Sequence, residues 1–316
     1  MKKIIKKITV QPKTKGELKS LIRTEIEQLG LRCDLNHIDV SLISDFSYLF
    51  KGSGFDGDIS KWDVSSVANM WSIFYRSKFN GDISRWDVSS VESMNSVFAC
   101  SKFSGDISEW DVSSVLDMSH AFYNSDFNGD ISKWNVSRVK EMDFMFSTSK
   151  FSGDISRWDV SSVANMAGMF ICSAFNGDIS RWDVSGAHSM DSMFCESKFN
   201  GDISTWNVSS VKKMVSMFAD SKFNGDISDW DTSSVKHMNS IFANSDFSGD
   251  ISNWDVSGVI DTGSVSLIFI ESKISQKLGI KAPTFEQVKS HFLGLKLEEA
   301  LQKASSGQSQ VSKVRL

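Results

Sequence analysis

"GDISKWDVSSVANM", residues 57–70, is followed at residues 81–94 by "GDISRWDVSSVESM". The phrase recurs every 24 residues, with no insertion or deletion between its copies. Its Trp marks nine copies, at Trp62, Trp86, Trp110, Trp134, Trp158, Trp182, Trp206, Trp230 and Trp254. A fixed period of this length indicates a repeat protein, so residues 55–258 are predicted to be one tandem array.

Within one unit the apolar residues change their spacing. Residues 59–64 carry I-x-x-W-x-V, which favours a short strand, whereas residues 67–74 carry V-x-x-M-x-x-I-F, which favours a helical face. One unit holds too few apolar side chains to close a core alone, so neighbouring units must stack. We therefore predict an α/β solenoid with a parallel strand ladder on one side, short helices on the other and helical caps at both ends.

The spacing within the unit resembles two kinds of known repeat. I-x-x-W-x-V followed by a helical arc resembles leucine-rich repeats. The longer phrase W-D-V-S-x-V-x-x-M-x-x-M-F resembles the BspA-type bacterial surface-protein repeat family over residues 35–274. The resemblance implies a leucine-rich-repeat-like solenoid at the cell surface, with adhesion or protein binding as its role.

The segments on either side of the array are predicted to cover its exposed apolar ends. Residues 1–34 are expected to form a strand/helix cap, in which Thr14 and Glu17 open a helix that runs to about Leu29. The other divisions are a degenerate first repeat at 35–54, an irregular last repeat at 259–283, a helical cap of two short helices at 284–304 and a disordered tail at 305–316.

Composition and charge exclude several classes of protein. A net charge of -5 over 316 residues gives no positive footprint for nucleic acid. The start, "MKKIIKKITV", has lysines where a signal peptide has its apolar core, and no uninterrupted apolar segment reaches the roughly 18 residues of a transmembrane helix. Four cysteines do not form a disulfide framework in a chain of this length. These features predict a cytoplasmic protein without a transmembrane segment, whereas the resemblance implies the cell surface.

Two columns of acidic residues run through the array. The position of Asp58 is Asp in all nine units, and that of Asp63 is Asp in seven, with Asn135 and Asn207 in the other two. Carboxylates stacked about 5 Å apart repel by roughly 0.8 kcal/mol per pair even in water, so calcium or backbone N–H donors must compensate. The Asn replacements and the small number of oxygens per unit favour N–H donors. We predict no metal and no cofactor.

The sequence offers no catalytic constellation. The five histidines fall in different columns, and no G-x-G-x-x-G, P-loop or H-E-x-x-H motif occurs. A pair of acids that is present in every unit is a structural feature, whereas an active site would interrupt the repetition once. We predict that the protein is not an enzyme.

Variable positions indicate where a partner binds. One freely varying position in the Asp58–Asp63 segment is basic in five units, at Lys61, Arg85, Lys133, Arg157 and Arg181. These residues, here called the basic column, are predicted to contact an acidic partner protein. Trp71, which lies outside the repeated Trp column, is predicted to be an exposed anchor.

Two other interpretations of the array remain open. The uniform Ser and Asp lattice favours an adhesin that binds a periodic ligand such as a polysaccharide, or an extracellular solenoid that calcium stabilises. Charge reversal at Arg157 and Arg181 would abolish protein binding and leave polysaccharide binding nearly intact. The chain itself is expected to be a monomer.

Overall fold

The computed structural model describes residues 9–260 and 267–313, with side chains to residue 304. Its helices are α1 (Lys15–Leu29), α2 (Lys273–Leu278) and α3 (Phe285–Lys313), and all three lie outside the tandem array. The array consists of turns and extended backbone joined by isolated parallel bridges. No described helix is both long enough and apolar enough to cross a membrane.

The predicted α/β solenoid with a parallel strand ladder is wrong, because the described residues form no β-sheet and no helix within the array. In place of a strand at residues 59–64, the N–H of Trp62 donates to the carbonyl of Ile59 at 3.2 Å. The N–H of Val67 donates to the carbonyl of Val64 at 2.8 Å. Hydrogen bonds over three residues close tight turns, so these apolar side chains lie at successive corners of the chain.

The predicted short helix at residues 67–74 is also absent. A helix would direct each N–H to the carbonyl four residues earlier in the same segment. Instead Met70 and Ser72 donate to the carbonyls of Ser93 and Asn95 in the next unit, at 2.9 and 2.8 Å. Ser72 adopts a left-handed conformation with φ 54°, which an α-helix does not contain. A chain of short turns returns side chains to one side at intervals of three and four residues, and this spacing imitates a helix.

Consecutive units stack so that each residue lies beside the residue 24 positions further along. Parallel bridges join Asp45 to Asn69, Asn69 to Ser93, and so on in steps of 24 as far as His237. The distance between neighbouring chains in such pairing is about 4.8 Å. A column of the sequence is therefore a row of adjacent side chains in the structure.

The core is formed by buried columns that run the length of the array. Ring centroids of Phe74 and Phe98 lie 5.6 Å apart, and those of Trp62 and Trp86 lie 6.4 Å apart with nearly parallel planes. Each Trp of the column also donates its indole N–H to a carbonyl of the preceding unit, as Trp86 does to Ile59 at 3.1 Å. A buried unpaired donor would cost about 1–3 kcal/mol, so this bond allows a polar ring inside the core.

Helix α1 covers the first unit. The Thr14 hydroxyl accepts from the N–H of Glu17 at 3.2 Å, so the helix begins at Lys15 and ends at Leu29, the bounds that the sequence indicates. Leu18 and Ile22 are buried against the core. Residues 1–8, which include part of the predicted N-terminal cap, lie outside the described residues.

The other end is covered by α2 and α3, through Ile274, Phe285 and Val288. The predicted pair of short helices at 284–304 is instead one helix, which continues to Lys313 through most of the stretch predicted to be a disordered tail. The predicted last repeat at 259–283 includes residues 261–266, which lie outside the described residues.

Candidate functional site

The first acidic column, that of Asp58, accepts hydrogen bonds from backbone N–H groups. In all nine units the Asp accepts from the N–H two residues further on, as Asp82 does from Ser84 at 3.0 Å. This N–H is the main cause that lowers the pKa of Asp82. The column therefore holds one tight turn in each unit.

The second acidic column makes the same bond. Ser65 donates its N–H to Asp63 at 3.1 Å, and Ser137 and Ser209 donate to Asn135 and Asn207 at 3.2 Å. An amide oxygen therefore replaces a carboxylate oxygen here without loss of the turn. Within the described residues, no group of three or more His, Cys, Asp or Glu side chains could hold a metal ion.

All members of the basic column are exposed and follow one edge of the stacked units. Each lies three residues after an Asp of the first acidic column. The pKa of Asp154, for example, is lowered by the N–H of Ser156 and, to a smaller extent, by the charge of Arg157. The Nζ of Lys133 lies 2.8 Å from a carboxylate oxygen of Glu109, so one member of the column is already paired.

Trp71 lies apart from the basic column, in a group of aromatic side chains. It is 44% exposed. Around it are the only three tyrosines of the chain, and Phe144 is the one Phe that is not buried. We call the set of exposed or half-buried rings the aromatic surface; its members are Tyr48, Trp71, Tyr75, His120, Tyr123 and Phe144.

The rings of the aromatic surface contact one another in two groups. Tyr48 and Trp71 have ring centroids 4.9 Å apart. Further along the stack, His120 lies 5.0 Å from Phe144 in a stacked arrangement and 5.8 Å from Tyr123 in an edge arrangement.

Cations flank the first group. The Nζ of Lys51 lies 4.8 Å from the ring centroid of Tyr48 and 5.1 Å from that of Tyr75, and the Arg76 guanidinium lies 5.2 Å from the Tyr75 ring. Cations at this distance are attracted to the faces of the rings, so the rings and charges hold one another in place.

A groove of about 550 Å³ separates the two groups. Trp71 and Tyr75 line one side, whereas His120, Tyr123 and Phe144 line the other. Between them lies the intervening unit, which contributes only the small side chains Asn95, Ser96 and Ala99 to the lining. The groove thus has aromatic walls and a floor with polar atoms, an arrangement typical of binding sites.

Phe144 departs from the repeat, and a second departure, in the next unit, accommodates its ring. Its column contains Ser in most units, and the backbone there is left-handed, with φ 54° at Phe144. A bulky residue rarely adopts this conformation. In the next unit the column contains Gly168, where an added Cβ would overlap the ring of Phe144. The missing side chain at residue 168 therefore makes room for the Phe144 ring.

The polar groups beside His120 do not form a nucleophilic relay. The Ser119 hydroxyl donates to Asp143 at 2.6 Å, and His120 Nδ1 lies 3.7 Å from the other oxygen of the same carboxylate. In a Ser-His-Asp triad the hydroxyl bonds to the imidazole, so this order of contacts does not activate Ser119.

Sequence reasoning identified Trp71 but missed its neighbours. The tyrosines supply the signal that could have found them, because Tyr occurs three times and only within residues 48–123. His120 and Phe144 share one column of the repeat, but no sequence pattern links that column to Trp71. Their proximity became visible only when the units were stacked.

The fold and this surface define a tandem-repeat protein with a specialised aromatic face. The family described as "Mycoplasma protein of unknown function, DUF285" matches residues 24–126, 99–198 and 171–278, and the chain belongs to this family. The narrower BspA-type resemblance stays a prediction. No curated protein and no solved structure matches the chain.

Proposed function

We propose that the protein is a non-catalytic repeat scaffold that binds a partner protein through the aromatic surface. The observation that carries the proposal is the gathering of the chain's non-core Trp, two of its three Tyr and its one unburied Phe around a single groove, with the third Tyr packed against Trp71. Packing of the core does not require them, because the other units are built without rings at these positions.

The residue types of the surface support a protein partner. Trp, Tyr and Arg are enriched among the residues that contribute most to binding between proteins. Here the Arg76 guanidinium lies against the ring of Tyr75, and Tyr75 and Trp71 line a groove that a partner side chain can fill. Residues around such anchors exclude water and contribute little energy themselves, which suits the small side chains of the floor.

The basic column is proposed as a second contact, for acidic groups of the same partner. Arg157 and Arg181 lie in adjacent units, so their charges act together. The acidic columns beside them reduce the attraction, and for this reason we assign the main contribution to the aromatic surface.

The polysaccharide alternative finds less support. It rested on the uniform Ser and Asp lattice, and the Asp oxygens of both columns accept turn N–H groups. Several Ser hydroxyls also donate to these carboxylates, as Ser89 does to Asp87 at 2.6 Å. A sugar chain would have to compete with these internal bonds.

The test compares crosslinked partners of the full chain and two matched variants. Trp71→Ala with Tyr123→Ala is expected to lose at least tenfold enrichment of a specific protein, since each anchor contributes about 2 kcal/mol or more. Asn239→Ala, in the Trp71 column seven units away, is the control and is expected to keep it. If no protein depends on the two rings, or if a soluble polysaccharide binds and depends on them instead, the proposed function is wrong.

A further inference from the structure

The later units, away from the aromatic surface, depart from the repeat by carrying a group of basic residues. His188, Lys212 and Lys236 occupy one column, and Lys213 follows in the next. We call these four residues the lysine cluster. The same column is mostly uncharged or acidic in earlier units, which carry Ala68, Glu92, Leu116, Lys140 and Ala164.

Backbone hydrogen bonds place the lysine cluster in three consecutive units. The carbonyl of His188 accepts from the N–H groups of Lys212 and Lys213, at 2.9 and 3.3 Å. The carbonyl of Lys212 in turn accepts from the N–H of Lys236 at 2.9 Å. Neighbouring units are about 4.8 Å apart, so His188, Lys212 and Lys236 form a short, closely spaced row.

Two lysines of the cluster form no salt bridge within the part of the chain that the structure describes. His188, Lys212, Lys213 and Lys236 are exposed, and within the described residues no salt bridge joins Lys212 or Lys213 to a carboxylate. The positive charge of Lys236 contributes a small part of the lowering of the pKa of Asp255. Like charges at this spacing repel one another, so the folded chain gains nothing from the cluster unless an anionic group binds there.

The carboxylates beside the lysine cluster restrict the shape of a partner that can bind there. The second acidic column lies five residues before the column of the row in every unit. It contributes Asp183, Asp231 and Asp255 here, so a line of carboxylates runs parallel to the row. A broad anionic surface such as a membrane or a nucleic acid would meet these carboxylates as well as the lysines. A single narrow chain can follow the row and avoid them.

We propose that the lysine cluster docks an extended acidic segment of a partner protein. In an extended peptide, alternate side chains point to one face and are about 6.8 Å apart, so two or three carboxylates can reach the row at once. This docking is independent of the aromatic surface, because it uses different units and a different column.

The experiment measures binding of a fluorescein-labelled deca-glutamate peptide to the full chain by anisotropy, at low and at physiological salt. Lys212→Glu with Lys213→Glu is compared with Lys78→Glu with Lys198→Glu. The control pair has the same change in net charge at two exposed lysines of another column. The cluster variant is expected to bind at least about tenfold more weakly, and the control variant within about twofold of the unaltered chain.

Three outcomes would overturn the proposal: no saturable binding, an equal loss in both variants, or binding of phosphatidylcholine–phosphatidylserine vesicles that competes with the peptide. Tryptophan emission of each variant verifies that the array is folded. Trp71→Ala with Tyr123→Ala is expected to bind the peptide normally, so failure of this proposal is distinguishable from failure of the proposed aromatic contact.

Discussion

Phe144 and Gly168 are departures from the repeat in adjacent units, and the Phe144 ring requires the absence of a side chain at residue 168. Phe144 occupies a left-handed position at which most units have Ser, and Gly168 leaves the space that its ring fills. Such positions cost roughly 1–2 kcal/mol for a residue with a Cβ. The pair is therefore a local specialisation that packing of the repeat does not explain.

Gly168→Ser is predicted to destabilise the protein more when residue 144 is Phe than when it is Ser. The new Cβ would overlap the ring, which costs about 1–3 kcal/mol beyond the left-handed strain of the serine itself. Phe144→Ser with Gly168→Ser restores the usual residues of the column and is expected to recover this part. Urea unfolding of the two single variants and the double variant gives the coupling energy. Equal costs of Gly168→Ser in both backgrounds would contradict the structure.

At the scale of the element, each unit is a closed coil whose turns depend on side-chain acceptors. Asp58 and Asp63 both accept N–H groups two residues further on, and the same two bonds recur in every unit. The repulsion between stacked carboxylates is thus offset by N–H donors. Because these donors prefer the ionised acid, the pKa of Asp154 and of Asp178 lies below its ordinary value.

The stability of the array is predicted to fall in acid. A carboxyl whose folded pKa is lowered contributes stability at pH values above its unfolded pKa of about 3.9, and this contribution is lost as the pH falls through the folded value. Thermal melts are expected to change little between about pH 7 and pH 5 and to fall steeply below about pH 4.

Asp154→Asn with Asp178→Asn tests the origin of this acid sensitivity. The amide oxygen does not titrate, and it is expected to keep the turn, as it does at Asn135 in the second acidic column. The variant is expected to have a shallower decrease in melting temperature below about pH 4 than the control Asp229→Asn, an exposed Asp outside both columns. An identical decrease in both proteins would show that other groups cause the acid sensitivity.

The whole molecule is a one-dimensional stack, because each unit bonds to the unit before it and the unit after it. Its stability is then the sum of contributions from units and from their contacts, with α1, α2 and α3 covering the ends. The aromatic surface and the lysine cluster lie at different heights of this stack. Units can therefore be removed without disturbing those that remain, provided that the 24-residue register is kept.

Deletion of residues 175–222 is predicted to leave a folded protein with a lower melting temperature. The deletion removes two complete units, so residue 223 takes the place of residue 175 and every column continues. The aromatic surface is retained, whereas His188, Lys212 and Lys213 are lost. Deletion of 175–186 removes half a unit and places polar residues in core columns; it is expected to abolish cooperative unfolding. Circular dichroism during heating distinguishes the two, and equal damage by both deletions would contradict the stack.

The sequence by itself determined the period of the array and the identity of the core columns. The Trp, Met and Phe columns, which are the recurring large apolar positions of the repeat, are buried, and α1 has the predicted bounds. The reason is that alternation of apolar and polar residues reports directly which side chains leave water. Trp71 could be recognised as exposed on the same ground.

Only the tertiary structure decided the path of the chain within a unit and the existence of the groove. The N–H groups of Met70 and Ser72 find their acceptors 23 residues further on, and no local pattern reports a partner at that distance. Turns and helices can therefore bury the same side chains while they satisfy their backbone groups differently. The groove likewise unites Trp71 with Tyr123 and Phe144, which become neighbours only because the units between them stack.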